Sequence, residues 1–139
     1  MPFIGMFLRK LEHFAFDRGS HDERLRQADQ IENALRHGES VFVFPEGTFT
    51  PQDGVRPFHL GAFKAAVSTG VAVVPVALRG TRQFLRDGHY LPRPTRVILT
   101  VCPPLNPPEA GAQASWRQVV RLRDLARAQI AQLAGEPLL

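Results

Sequence analysis

The chain has 139 residues, of which 44% are hydrophobic and 22% are charged, and these proportions are typical of one soluble globular domain. Its 17 Lys and Arg residues outnumber its 13 Asp and Glu residues and leave a formal net charge of +4, which suits an anionic membrane surface or a phosphorylated substrate as well as nucleic acid. The single cysteine, Cys102, excludes an internal disulfide, and no apolar run approaches the roughly 18 residues of a membrane-spanning helix.

An amphipathic helix is predicted over residues 2–16. Apolar side chains recur there at helical spacing, whereas Arg9 and Lys10 fall on the opposite side. The apolar positions are Phe3, Phe7, Leu11 and Phe14. Such a helix docks into a protein core or lies on a bilayer surface, and the pattern alone leaves both alternatives open.

Helices and short strands alternate along the rest of the chain. Helices are predicted over residues 21–37, 60–69 and 114–134, and strands over residues 41–44, 71–78 and 96–102. Gly38 and Gly70 stand where glycines commonly end helices. The alternation predicts an α/β fold, in which a single domain has a largely parallel central sheet flanked by helices.

The apolar run over residues 71–78 is uninterrupted, which predicts a strand buried on both faces. Pro75 lies inside this run and cannot donate a ladder hydrogen bond, so it indicates an irregular or edge position. Cys102, at the end of the last predicted strand, is expected to be a small apolar residue rather than a reactive one.

The segment Phe44-Pro45-Glu46-Gly47-Thr48 follows a short apolar strand. It places a carboxylate, a hydroxyl and backbone N–H groups at the carboxyl end of that strand, where ligands bind in open α/β sheets. Burying Glu46 without a partner would cost free energy, so this residue is predicted to bind a ligand. The alternative is that its carboxylate caps the following turn.

Three segments, taken in order, resemble the glycerolipid acyltransferases, and in particular the bacterial 1-acylglycerol-3-phosphate acyltransferases. They are Ala15-Phe16-Asp17-Arg18, then Val43 to Thr48 followed by Pro57-Phe58-His59-Leu60-Gly61-Ala62-Phe63, and then residues 70–78. The resemblance runs from about residue 2 to the last strand. The specific part of the resemblance is the segment Phe44 to Thr48, called the elbow below, followed by Pro-Phe-x-x-Gly-Ala-Phe. The Asp17-Arg18 pair alone would be weak evidence for the family.

The resemblance implies acyl transfer from acyl-CoA or acyl carrier protein to lysophosphatidate, without a metal or other cofactor. It implies that Arg18 binds the phosphate of the acceptor, as a guanidinium can do bidentately, and that Glu46, Gly47 and Thr48 position the glycerol-phosphate. A surface ion pair with Asp17 or Asp22 is the alternative for Arg18. The Val-Pro strand around Pro75 would line the acyl-donor side, or simply belong to the core.

The partners implied are a lysophospholipid acceptor, an acyl donor and a peripheral membrane surface. The expected location is the cytoplasmic face of the inner membrane, or the cytoplasm. No nucleic-acid partner is expected, because the basic residues are scattered rather than clustered with aromatic side chains.

Two departures from the family pattern stand out. Phe49 occupies the position after Glu-Gly-Thr where the family usually has Arg, and Arg56 could compensate from the adjacent turn. None of the 5 histidines begins the His-x-x-x-x-Asp motif that supplies the family's general base, so no catalytic residue is assigned. His59 is the best substitute, although a solvated loop histidine is the commoner alternative.

The expectation is therefore an acyltransferase-like domain over residues 1–139 that is incomplete at its N-terminus. An upstream His-x-x-x-x-Asp motif would make it part of an active enzyme. Without one, the chain would be a catalytically inactive phospholipid- or acyl-binding remnant of such an enzyme.

Overall fold

A computed structural model describes residues 21–47, 52–81, 94–107 and 115–139. The elements in chain order are α1 (His21–Arg36), α2 (Gly61–Thr69), β1 (Val76–Arg79), β2 (Ile98–Val101) and α3 (Trp116–Ala134). The helix predicted over residues 2–16 lies outside the described residues. No helix in the described ranges is long and apolar enough to cross a membrane.

The three helices predicted within the described ranges are confirmed. Gly70 ends α2 in the left-handed conformation, with φ 71°, and its N–H donates to the Ala66 carbonyl. Gly135 ends α3 in the same way, with φ 70° and a hydrogen bond to the Ala131 carbonyl. Gly38, just beyond α1, has φ 80°. Each of these positions favours glycine because a Cβ there would be strained.

The sheet differs from the prediction. β1 and β2 pair antiparallel, with Val76 opposite Val101 and Arg79 opposite Ile98, and they form a two-stranded sheet. The largely parallel central sheet is not confirmed, since the described part of the chain contains this antiparallel pair. Residues 41–44, predicted to be a strand, join no ladder in the described ranges.

Pro75 interrupts the pairing, as its missing N–H predicts. On one side of it the β1–β2 ladder runs, and on the other Val73 and Leu105 form an isolated bridge with N–H to carbonyl distances of 2.9 and 2.8 Å. The Pro75 carbonyl still accepts a hydrogen bond from the Cys102 N–H at 2.9 Å. The irregular position is therefore confirmed.

Burial on both faces, predicted for the strand over residues 71–78, is wrong. Pro75 and Ala77 are buried, whereas Val74 and Leu78 are exposed. The physical reason is that α3 packs against β1 and covers one face of it. Side chains alternate between the faces of a strand, so only every second residue is covered.

The main core lies between α2, α3 and the connection that precedes α2. Val55 and Phe58 in that connection are each only 4% exposed. They pack with Phe63, Ala66 and Val67 of α2 and with Val119, Leu122, Ala126 and Ala131 of α3. On the other side of α2, a Cβ on Gly61 would lie 3.4 Å from the Ala28 Cβ, so α1 and α2 approach closely there.

Beyond α3, residues 136–139 turn back onto the connection before α2. Val55 forms a parallel bridge with Leu138. Its N–H donates to the Pro137 carbonyl at 2.8 Å, and its carbonyl accepts from the Leu139 N–H at 3.1 Å. The sequence patterns do not predict this pairing, which fixes the course of the connection that leads to the predicted site.

Candidate active site

The predicted elbow is a β-turn over Phe44, Pro45, Glu46 and Gly47. The Gly47 N–H donates to the Phe44 carbonyl at 3.2 Å, and Gly47 has φ 65°. Proline suits the second position of such a turn because its φ is already fixed, and glycine suits the fourth. The local sequence therefore forms this turn, and Glu46 lies at its tip.

The Glu46 side chain is half-buried. Within the ranges that the structure describes, its carboxylate makes no hydrogen bond or ion pair with another residue. Thr48, the next residue predicted for the site, lies outside the described residues, as does Arg18. The structure therefore brings together Glu46 and Gly47 of the four predicted site residues, and the capping role considered for Glu46 finds no partner among the described residues.

His59 lies against the elbow. Its N–H donates to the Pro45 carbonyl at 2.8 Å, and its ring is so close to Gly47 that a Cβ there would lie 2.9 Å from both Cδ2 and Nε2. A separation under about 3 Å is a steric overlap, so only glycine permits this contact. The exposed imidazole is thus a second polar side chain at the turn that carries Glu46.

The residues on either side of His59 fix its position. Phe58 is buried and stacks with Phe63 of α2, with ring centroids 6.3 Å apart and an interplanar angle of 9°. Helix α2 begins two residues after His59, at Gly61. A core anchor on one side and a helix on the other hold the histidine against the turn.

An apolar pair precedes the elbow. The rings of Phe42 and Phe44 meet edge to face, with centroids 5.4 Å apart. Their exposed fractions are 51% and 63%, so the pair leaves apolar surface open to solvent beside the turn. The turn therefore combines a carboxylate and an imidazole with exposed aromatic surface.

Arg56 was the residue expected to compensate for Phe49. Its side chain is half-buried, and its carbonyl accepts a hydrogen bond from the Arg127 Nε at 3.0 Å. Phe49 itself lies outside the described residues, so compensation stays a prediction.

In the described ranges, no group of three His, Cys, Asp or Glu residues could hold a metal ion.

Cys102 is buried, in agreement with its predicted apolar role. Burial raises the pKa of its thiol, because desolvation disfavours the thiolate. The thiolate is the nucleophilic form of cysteine. The environment of Cys102 therefore does not favour nucleophilic chemistry.

A separate open groove of about 500 Å³ lies along α3. Its lining residues are Trp116, Arg117, Val120, Arg121, Asp124 and Leu125. None of them belongs to the elbow, so this groove does not coincide with the predicted site.

Sequence reasoning missed Arg127 and Glu136, which hold the connection before α2. The Arg127 Nη2 donates to the Val55 carbonyl at 2.7 Å, and the Glu136 Oε2 accepts from the Gly54 N–H at 2.5 Å. Both contacts join residues more than 70 positions apart. The one local signal was Gly135, which ends α3 and turns the chain back.

The chain matches the model of a known protein family. The family model described as acyltransferase matches residues 1–79, which include α1, the elbow, α2 and the whole of β1. This match covers more than half of the chain, and the chain belongs to the acyltransferase family. The resemblance drawn from the motifs is thereby confirmed.

Several similar proteins carry more specific names. The chain is 32% identical over 132 residues to a 1-acyl-sn-glycerol-3-phosphate acyltransferase of Chlamydomonas reinhardtii, covering 94% of this chain and 37% of that protein. It is 26% identical over 137 residues to the protein of that name from Escherichia coli, covering 98% and 55%. A lyso-ornithine lipid O-acyltransferase of Pseudomonas aeruginosa is 36% identical over 87 residues, covering 63% and 32%.

Among solved structures, the crystal structure of a 1-acyl-sn-glycerophosphate acyltransferase from Thermotoga maritima matches with a TM-score of 0.66 and 28% identity. The match covers 80% of this chain and 45% of that one. The chain thus spans about a third to a half of the length of the relatives it matches.

Proposed function

We propose that the chain is part of an enzyme that transfers an acyl group from acyl-CoA or acyl carrier protein to lysophosphatidate, as a step of phospholipid biosynthesis. The observation that carries the proposal is the Pro45-Glu46-Gly47 turn, with a half-buried carboxylate at its tip and the His59 ring against its glycine. The names of the relatives supply the acceptor. In the reaction the acceptor hydroxyl attacks the thioester carbonyl, the thiol leaves, and a general base takes the hydroxyl proton.

The site residues take the roles that the motifs imply. Glu46, Gly47 and Thr48 position the glycerol-phosphate, with the Glu46 carboxylate accepting a hydrogen bond from the glycerol. Arg18 supplies the charge-assisted contact to that phosphate. The general base is the histidine of a His-x-x-x-x-Asp motif, which the 139 residues do not contain.

The acyl chain lies on apolar surface beside the turn. Phe42 and Phe44 are exposed there, and burying aromatic surface against an acyl chain contributes favourably. With a net charge of +4, the protein would work peripherally at an anionic leaflet, on the cytoplasmic face of the inner membrane.

The proposal is tested by an acyl-transfer assay on two proteins. One is the 139-residue chain, and the other extends it upstream to the preceding in-frame start. We expect lysophosphatidate-dependent consumption of acyl-CoA by the extended protein and none by the shorter chain, because the latter has no His-x-x-x-x-Asp motif. Turnover by the shorter chain would refute the assignment of the base. Silence of both proteins with both donors would favour the inactive binding remnant.

A second acceptor is favoured by one sequence feature. Phe49 replaces an arginine that would contact phosphate, and one relative is named a lyso-ornithine lipid O-acyltransferase. The same assay with lyso-ornithine lipid in place of lysophosphatidate separates the two. A higher kcat/KM with lyso-ornithine lipid than with lysophosphatidate would identify the phosphate-free lipid as the acceptor.

A further inference from the structure

Arg127 of α3 reaches the connection that carries His59. Its guanidinium donates to three carbonyls, those of Val55 at 2.7 Å, Arg56 at 3.0 Å and Leu139. The planar fork of an arginine can hold several acceptors in fixed positions. A half-buried cation on the helix thus fixes the backbone only three residues before His59.

The same stretch of backbone is held from its other side by residues 136–139. The Val55 N–H donates to Pro137, and the Val55 carbonyl accepts from Leu139 as well as from Arg127. The Gly54 N–H donates to the Glu136 carboxylate at 2.5 Å. Gly54 has φ 120°, and a Cβ there would lie 2.5 Å from the Leu139 side chain, so that side chain packs directly against the Gly54 backbone.

These contacts continue to the elbow through a short and well-anchored path. Phe58, three residues after Val55, is buried against the core. His59 follows it and joins the turn through the Pro45 carbonyl and the Gly47 backbone. A shift of the connection would therefore move the His59 backbone N–H relative to the Pro45 carbonyl and the ring relative to Gly47.

We propose that Arg127 is a positioning residue of the acceptor site: it fixes Val55 and Arg56, and through them the His59 ring against the turn that carries Glu46. The inference rests on the proposed function, because it concerns the same acceptor. Arg127 acts through the backbone that it holds and does not touch the acceptor.

The first test is hydrogen exchange of single amides in Arg127→Gln and Arg127→Lys. The His59 and Gly47 amides report on the elbow because both donate within it, and the Leu122 amide in α3 reports on global unfolding. We expect Arg127→Gln to raise exchange at His59 by about tenfold or more, from the loss of charge-assisted hydrogen bonds, and exchange at Leu122 by no more than the same factor, while the amide chemical shifts change at His59 and Gly47 but not at Leu122. Lysine should restore little, because it keeps the charge but lacks the fork.

The matched control is Arg121→Gln. It removes the same charge from an exposed position of the same helix, at the outer groove and away from the carbonyls that Arg127 binds. We expect wild-type exchange in this variant. Glu136→Gln, which weakens the other hold on Gly54, should reproduce a part of the Arg127→Gln effect.

The second test is lysophosphatidate affinity, measured by calorimetry on the same variants. We expect Arg127→Gln to weaken binding several-fold and Arg121→Gln to leave it unchanged. Unchanged exchange at His59, or unchanged amide chemical shifts at His59 and Gly47, would overturn the positioning role. Unchanged affinity despite faster exchange would overturn its link to the acceptor. Failure of the wild-type chain to bind lysophosphatidate would instead refute the proposed acceptor, while exchange still decides whether Arg127 holds the elbow.

Discussion

Two separate features of the structure favour glycine at position 47. Gly47 has a left-handed φ of 65°, which is strained for a residue with a Cβ. The ring of His59 also occupies the space that a Cβ would need. Gly38 has a similar φ of 80° but nothing within 4 Å of its would-be Cβ, so the two glycines separate backbone strain from steric overlap.

We therefore expect Gly47→Ala to destabilise the protein more than Gly38→Ala. Backbone strain alone should cost about 1 kcal/mol in Gly38→Ala, and moving the exposed His59 ring out of the overlap should add no more than about 1 kcal/mol in Gly47→Ala. Urea unfolding of both variants measures the difference. In a His59→Ala background the two substitutions should cost about the same, and a difference that survives there would locate the cause elsewhere.

Glu46, at the tip of the turn, should matter more for ligand binding than for folding. Its carboxylate is half-buried and makes no hydrogen bond with another residue in the described ranges, so replacing it should affect a ligand more than the fold. We expect Glu46→Gln to lower lysophosphatidate affinity by roughly 10- to 100-fold, the loss of a hydrogen bond to a charged group, with little change in unfolding free energy. Calorimetry on the chain measures the affinity, and Glu39→Gln, at an exposed position, is the matched control. Equal affinities in the two variants would remove Glu46 from the acceptor site.

At the scale of elements, the connection before α2 is more than a linker. It contributes Val55 and Phe58 to the core, pairs with residues 136–139 and delivers His59 to the elbow. Loops at functional sites are commonly positioned by a rigid scaffold, and here the scaffold is α2 together with α3.

Truncating Phe58 and truncating Phe44 should affect different properties of the protein, the first its stability and the second its interaction with the acyl donor. Phe58→Ala should cost about 3–5 kcal/mol of stability, because it opens a cavity beside Phe63. Phe44→Ala should change stability by no more than about 0.5 kcal/mol, because the ring is 63% exposed, but it should raise KM for the acyl donor in the extended, active protein. Thermal unfolding and donor kinetics measure the two effects. A large loss of stability in Phe44→Ala would mean that the ring belongs to the core.

The sequence predicted helices better than strands, and the reason is physical. Helices are set by local spacing and by end glycines such as Gly70 and Gly135, so a single segment contains the necessary information. A strand needs a partner, and the pairing of Val76 with Val101 depends on the rest of the fold. An apolar run such as residues 71–78 specifies neither its partner nor the number of covered faces.

The same distinction holds for the candidate site, where features set by adjacent residues could be predicted and contacts between distant segments could not. The turn at Glu46 and Gly47 follows from adjacent residues, and the motif identified it. The contact of His59 with Gly47 joins two segments, and a loop histidine is usually solvated, so spacing gave no reason to prefer contact. Arg127 acts on carbonyls more than 70 positions away, and backbone acceptors leave no mark in the sequence.

The chain combines a net positive charge with exposed apolar side chains. The net charge is +4, and β2 exposes Leu99 and Val101 at 60% and 63%. Charge attraction to an anionic surface is long-ranged and screened by salt, whereas apolar contact is short-ranged and salt-insensitive by comparison. The proposed peripheral location therefore makes a prediction in which salt separates the two contributions.

We expect the chain to sediment with vesicles containing anionic phospholipid more than with purely zwitterionic vesicles at low salt. Each cationic side chain near an anionic surface contributes about 1 kcal/mol. At about 1 M salt the Debye length falls to about 3 Å, and we expect the preference for anionic vesicles to disappear. Binding that persists equally on both vesicles at high salt would assign the attraction to apolar surface such as Leu99 and Val101 rather than to charge. Absence of binding to either vesicle at low salt would contradict peripheral attachment through the 139 residues.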